Sequence, residues 1–183
     1  MELLSLQCRF DQFGIPSNRI REIMPFMEFD RIDFALIELL QKDARLSNKE
    51  LATAVGLAPS SCLTRVQRLR SEGVIKGAHA EVDPEALGVG LQALIAVQLR
   101  QHSRAQVKAF WKHVLGLPEV LMVFHVAGTH DFQVHVAVRD AHHLRDLALD
   151  AFTTRTEVAH IQTSLIFECA KGKLMPNYRK PTN

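Results

Sequence analysis

The sequence predicts an α+β chain, with an N-terminal helix-turn-helix followed by a C-terminal ferredoxin-like βαββαβ unit. Three observations carry that prediction. A capping box at Ser47–Glu50, a glycine at Gly56 and a proline at Pro59 punctuate two short helical segments in quick succession. After Gly90 the pattern becomes strand, helix, strand, strand, helix, strand. Within it, Phe132, Val134, Val136 and Val138 alternate with Gln133, His135 and Ala137, the period of a half-buried strand.

Taken in order, residues 1–26 have no clean period and are broken by Gly14, Pro16, Ser17 and Asn18. They read as an arm that either folds onto a partner subunit or reflects an over-long gene start before Met27. Asp30 precedes a helix whose stripe is Ile32, Ala35, Leu36, Leu39 and Leu40, ending near Asp43. Ser47 opens a second helix with Leu51, Ala52 and Val55 inward, and Gly56 ends it by accepting positive φ at no steric cost. Pro59 suits the first position of a third helix, which runs to about Glu72 before Gly73. Val74–Val82 reads as extended chain, and Asp83-Pro84 punctuates it.

The second unit begins with Leu91–Leu99, apolar on both faces as a doubly covered strand is. Ser103–Gln106 is a further capping box, opening a helix with Val107, Phe110, Trp111 and Val114 inward. Val120–Val126 and the strand from Phe132 flank a turn at Gly128–Asp131. Asp140 starts a helix with Leu144, Leu147, Ala148 and Ala151 inward, and Ile161–Cys169 is the last strand. The expected division is an arm at 1–26, the helix-turn-helix at 27–82, a linker at 83–90, the α/β sandwich at 91–171 and a tail at 172–183.

Bulk composition excludes several classes. The 183 residues are 47% hydrophobic and 23% charged, so a buried core is expected, and the net charge of +2 is too small to imply a polyanionic partner on its own. Cys8, Cys62 and Cys169 are widely separated and form no C-x-x-C pair, so neither a disulfide framework nor a zinc knuckle is expected. No apolar run reaches the roughly 18 residues of a membrane helix. Arg9, Asp11, Arg19 and Arg21 interrupt any signal-peptide core. A soluble, cytoplasmic protein is expected.

The third helix carries the clearest chemistry. At 100° per residue, Cys62, Leu63, Val66 and Leu69 fall on one side. Ser60, Ser61, Thr64, Arg68 and Ser71 fall opposite, with Arg65 and Gln67 on the flanks. Short hydroxyls near a helix N-terminus let it approach base edges in a DNA groove. Arg68 is long enough to reach a guanine or a phosphate, whereas Arg65 and Lys76 suit the backbone. Between Leu57 and Gly77, four basic residues (Arg65, Arg68, Arg70, Lys76) oppose one acidic residue, Glu72. The expected partner is double-stranded DNA.

These residues sit in a longer pattern. Phe29-Asp30-Arg31-Ile32-Asp33, Leu39–Arg45, Glu50-Leu51-Ala52 and Val55–Ser60 resemble the opening of Lrp/AsnC (feast–famine) transcription regulators. Arg65–Leu69, Glu72–Gly77, Asp83–Gly88 and Leu117–Val120 extend the resemblance over about residues 28–171. It implies a winged helix-turn-helix joined to a ferredoxin-like effector domain, with no cofactor or metal. It also implies dimers formed through the sheets, often assembled into octamers. In such proteins a small molecule, usually an amino acid, binds between effector domains and changes assembly or DNA affinity.

Two departures stand out. Ala58 replaces the serine that usually caps the third helix, a loss of roughly 1 kcal/mol that calls for a compensating contact. In the loop where many members read Gly-Asp-Tyr-Asp, this chain reads Gly128-Thr129-His130-Asp131. Backbone N–H groups around Gly128 suit a ligand carboxylate and Asp131 suits its ammonium, while Thr129 and His130 bear on side-chain choice. The resemblance places His125, and less securely Thr153 and Thr163, beside the same pocket.

Three other readings compete. Sirohaem decarboxylases resemble this two-part architecture, but the basic short-side-chain face around Ser60–Arg68 has no use in such an enzyme. The histidines His125, His130, His135, His142 and His143 suggest a metal-responsive regulator, although alternate facing along a strand separates them and no cysteine lies near. A sheet-only interaction module is the third.

Overall fold

A computed structural model describes residues 28–101, 103–170, 172 and 174–179; the predicted arm, with Met27, lies outside the described residues. The described residues form two units, one of residues 28–80 joined by 172 and 174–179, the other within Glu81–Ala170.

In the first unit, α1 (Arg31–Lys42), α2 (Asn48–Val55) and α3 (Pro59–Ser71) each begin where the local chemistry dictates. Asp30 caps α1 reciprocally, its carboxylate accepting from the Asp33 N–H at 2.9 Å while Asp33 accepts from the Asp30 N–H at 3.2 Å. The Ser47–Glu50 box forms in the same way at α2. Gly56 takes φ +69°, and the Leu57 N–H reaches back to the Ala52 carbonyl at 2.9 Å, turning the chain into α3. The core of this unit is Phe29, Leu36, Leu51, Ala52, Cys62, Val66 and Leu69. Leu63 is not among them: it is 45% exposed, correcting its inward placement. Its wheel position lies on the flank of the apolar stripe, where neither α1 nor α2 covers it.

Beyond α3, Gly73 takes φ +72°, and the Val74 and Ile75 N–H groups both donate to the Leu69 carbonyl. Val74 and Ile75 pack against the core, but the segment onward to Val82 joins no strand ladder among the described residues. Among the described residues no wing hairpin forms.

In the second unit, β1 (Leu91–Leu99), β2 (Val120–His125), β3 (Phe132–Val138) and β4 (Val158–Ile166) form one antiparallel sheet in the order β2-β3-β1-β4. Helices α4 (Arg104–Val114) and α5 (Ala141–Leu147), the latter running into a π-helical turn at Ala148–Thr153, cover one face. Ile95, Val97, Phe132, Val134 and Val136 from the sheet meet Phe110, Val114 and Phe152 from the helices, all fully buried. Each such side chain contributes roughly 1.5–3 kcal/mol. Gly90 precedes β1 because a Cβ there would lie 2.3 Å from the Arg139 carbonyl oxygen.

Among the described residues no helix of this unit covers the opposite sheet face. By register it presents Leu94 and Ala96 of β1, His135 of β3, and Met122 and Phe124 of β2, the last two 50% and 45% exposed. Two local expectations change. The Ser103 box is half-formed: Ser103 accepts from the Gln106 N–H, but Gln106 Oε1 is buried with no hydrogen-bond partner among the described residues. The last strand begins at Val158 rather than Ile161, because the Arg100 N–H bonds to the Glu157 carbonyl and Leu99 pairs with Val158. It ends at Ile166, past which Phe167 is 93% exposed.

Candidate DNA-reading helix and effector loop

Helix α3 has an extended N-cap at Ala58 with no side-chain bond, as the missing hydroxyl requires. Pro59 removes one orphan donor by lacking an N–H. Asn48 Nδ2 donates to the Pro59 carbonyl at 2.7 Å, tying the start of α2 to the start of α3. That contact fixes the turn but does not supply the acceptor a cap provides.

Cys62, Val66 and Leu69 anchor α3 inward. Outward stand Ser60, Ser61, Leu63, Thr64, Gln67, Arg68, Arg70 and Ser71, and Lys76 is exposed just beyond the helix. The Thr64 hydroxyl donates to the Ser60 carbonyl at 3.1 Å. The arginines are placed differently from the sequence expectation. Arg65 Nη1 lies 2.7 Å from Asp30 Oδ2 and 2.9 Å from Asp33 Oδ1, and Arg68 Nη2 lies 2.6 Å from Asp33 Oδ2. Asp33 is 1% exposed, and a carboxylate so buried needs paired cations. Arg68 is therefore a strut between α3 and α1 rather than a free probe, and Arg65 is a second strut rather than an unengaged phosphate contact.

Electrostatics agree. The bond to Asp33 raises the Arg65 pKa above its ordinary value, outweighing burial, and Asp30 adds to it. Burial pushes the Asp30 carboxyl up, but the Asp33 N–H and the Arg65 guanidinium together bring it below the ordinary carboxylate value.

The candidate effector loop is built at one end of the sheet. His125, half-buried at the end of β2, stacks on Phe132 with ring centroids 4.8 Å apart. The Val126 N–H donates to the Asp131 carbonyl, closing the turn, and Gly128 takes φ +140°. Only glycine adopts that φ without strain. Thr129 is exposed and His130 half-buried. Asp131 differs from the expected ammonium acceptor: it is 4% exposed, and its Oδ2 accepts from the Leu99 N–H at 2.6 Å while its own N–H donates to the Val97 carbonyl. It anchors the loop to the end of β1.

The remaining pocket candidates are scattered. Thr153, on the π-helical turn, donates to the Leu149 carbonyl at 2.8 Å. Thr163 lies on β4 opposite Ile95. Strands β2 and β4 are the two sheet edges, three strand spacings apart, so His125 and Thr163 stand roughly 14 Å apart across the sheet. One copy does not gather the set.

The histidines divide likewise. His125 pairs with Phe132 on the helix-covered face, whereas His135 lies on the open face with Nε2 2.8 Å from Gln92 Oε1. Among the described residues no group of three or more histidine, cysteine or acidic side chains is arranged to hold a metal ion. No described helix is long and apolar enough to cross a membrane.

A helix-turn-helix with a hydroxyl-rich outer helix face, followed by an α/β sandwich with a glycine loop at its end, defines a two-domain DNA-binding regulator. Known proteins agree. Residues 29–76 match the winged helix-turn-helix DNA-binding family, and residues 92–173 match the Lrp/AsnC ligand binding domain. The chain is 43% identical over 145 residues to the HTH-type transcriptional regulator AldR of Mycolicibacterium smegmatis, covering 79% of this chain and 85% of that one. It is 33% identical over 145 residues to the leucine-responsive regulatory protein of Rhizobium meliloti, covering 79% and 93%. A transcriptional regulator of Neisseria meningitidis, solved as its L-Met complex, superposes with a TM-score of 0.74 at 30% identity, covering 81% of this chain and 96% of that one. The chain belongs to the Lrp/AsnC family of transcriptional regulators. It is a regulator rather than an enzyme, as its relatives are.

Proposed function

We propose that this regulator binds DNA by laying α3 in the major groove and that an amino acid held between sandwich domains of two copies tunes that binding. Ser60, Ser61, Thr64 and Gln67 face the bases, and Lys76 meets the phosphate backbone. Arg65 and Arg68 hold the helix at its angle, with their remaining N–H groups directed to phosphate. The observation that carries this reading is the Asp33–Arg65–Arg68 network, which fixes α3 on α1 while leaving its hydroxyl face exposed.

The effector site lies at the Gly128–Asp131 loop and is completed by a second copy. The separation of His125 from Thr163 within one sheet supports this, as does the L-Met complex of the Neisseria relative. The helix-free sheet face, with Leu94, Met122 and Phe124, is the surface on which two copies meet, and the dimers assemble further to octamers.

A thermal-shift series with L-methionine and the other nineteen amino acids tests the effector half. A ligand of the folded state raises Tm in a concentration-dependent way. An unchanged Tm with all twenty would overturn amino acid sensing. Gel-shift titration against the DNA upstream of the protein's own gene tests the other half.

A further inference from the structure

Once Arg65 and Arg68 are tied to Asp33 and Thr64 donates to its own helix, the side chains left to read bases on α3 are few. Two are unlike the serines. Leu63 is 45% exposed on a helix whose other apolar residues are buried, and it belongs to no core cluster. Gln67 is exposed one turn further along, its carboxamide making no hydrogen bond among the described residues. Residues four apart lie on one face, about 6 Å along the axis. That is close to two base-pair steps of about 3.4 Å.

The two side chains have complementary chemistry. A carboxamide offers a donor and an acceptor side by side, matching N7 and N6–H of adenine in the major groove. A branched alkyl group has no hydrogen bond to give, and the one apolar feature of the major groove is the thymine C5-methyl. We infer that Leu63 and Gln67 make this helix choose A·T pairs, Leu63 covering a thymine methyl and Gln67 pairing bidentately with an adenine. The inference rests on the reading that α3 enters the major groove.

The test uses the full chain. Sites are selected from a random duplex pool, and the winning half-site is resynthesised with deoxyuridine in place of each thymine, which removes only the methyl. At the contacted position, affinity of the unaltered protein falls about fourfold, the effect of one buried carbon. Leu63→Ala, which truncates a side chain outside the core cluster, no longer distinguishes thymine from uracil there. Gln67→Ala loses at least about fivefold of its preference for adenine at a neighbouring position. If uracil at every position leaves the unaltered protein's affinity unchanged, the Leu63 role is overturned without reference to any variant. If Gln67→Ala selects the same sequences with the same ratios, the Gln67 role is overturned. If the unaltered protein selects no sequence at all, the groove reading itself fails, and the inference with it.

Discussion

Two buried aspartates, one in each unit, show how differently this chain keeps a carboxylate out of water. Asp33 is compensated by long side chains from another helix: Arg65 and Arg68, themselves 30% and 42% exposed, reach in from α3. Asp131 accepts from the Leu99 N–H, a backbone group positioned by β1. The first arrangement makes the attitude of α3 on α1 depend on an ion network. The second ties the Gly128–Asp131 loop to the end of β1.

Removing each carboxylate tests the comparison, and Asp33→Ala has the largest expected effect. It removes the N3 half of the α1 cap and leaves two cations facing the site. Breaking a buried pair costs about 3–5 kcal/mol. Because both guanidinium groups can turn to water, about 2–3 kcal/mol is expected here. Urea denaturation followed by circular dichroism reads it, and DNA affinity falls at concentrations of urea where the unaltered protein still binds. A loss under 1 kcal/mol would show that α3 does not depend on the network.

Asp131→Ala follows, at about 1.5–3 kcal/mol, the worth of a hydrogen bond to a charged group. Asp131→Asn, which keeps an acceptor, recovers most of it. If Asp131→Asn stays folded but the amino acid-induced rise in Tm disappears, the carboxylate also holds ligand charge, and the contrast with Asp33 narrows. Ala58→Ser is smaller and opposite in sign. Restoring a capping oxygen at α3 should stabilise the helix-turn-helix by about 1 kcal/mol, seen as a higher urea midpoint.

The same contrast explains what the sequence shows and what it hides. Helix starts at Asp30, Ser47 and Pro59, the stop at Gly56 and the alternation of β3 are local, so residues a few positions apart declare them. The family pattern likewise locates both domains. The partners of Arg65 and Arg68 are 32 and 35 residues away, and the Leu99–Asp131 bond also spans 32, so no window along the chain exposes them. Leu63 was misplaced for another reason: periodicity assigns it to the edge of the apolar stripe, and only the positions of α1 and α2 decide whether an edge residue is covered.

The smallest effect separates the two units by pH. On the open sheet face, His135 bonds to Gln92, and burial lowers its pKa from the ordinary 6.5. A folded-state pKa below the unfolded one means that unfolding takes up a proton as the pH drops. His135 therefore adds stability above pH 6.5 that drains away as pH falls through that value toward the lowered one. In the first unit, the depressed groups are the Asp30 and Glu50 carboxyls, whose ordinary values are 3.8 and 4.5. Their contributions are intact until pH falls to about those values and are lost only below them. Between pH 7 and 5 the sandwich should thus weaken while the helix-turn-helix holds. Hydrogen exchange at pH 7 and pH 5 reads the two units separately, after correction for the intrinsic rate. His135→Gln, which keeps a polar side chain but cannot titrate, flattens the response of β3 amides and leaves those of α1 unchanged. Equal loss of protection in both units, or a response that survives His135→Gln, would place the pH-sensitive group elsewhere.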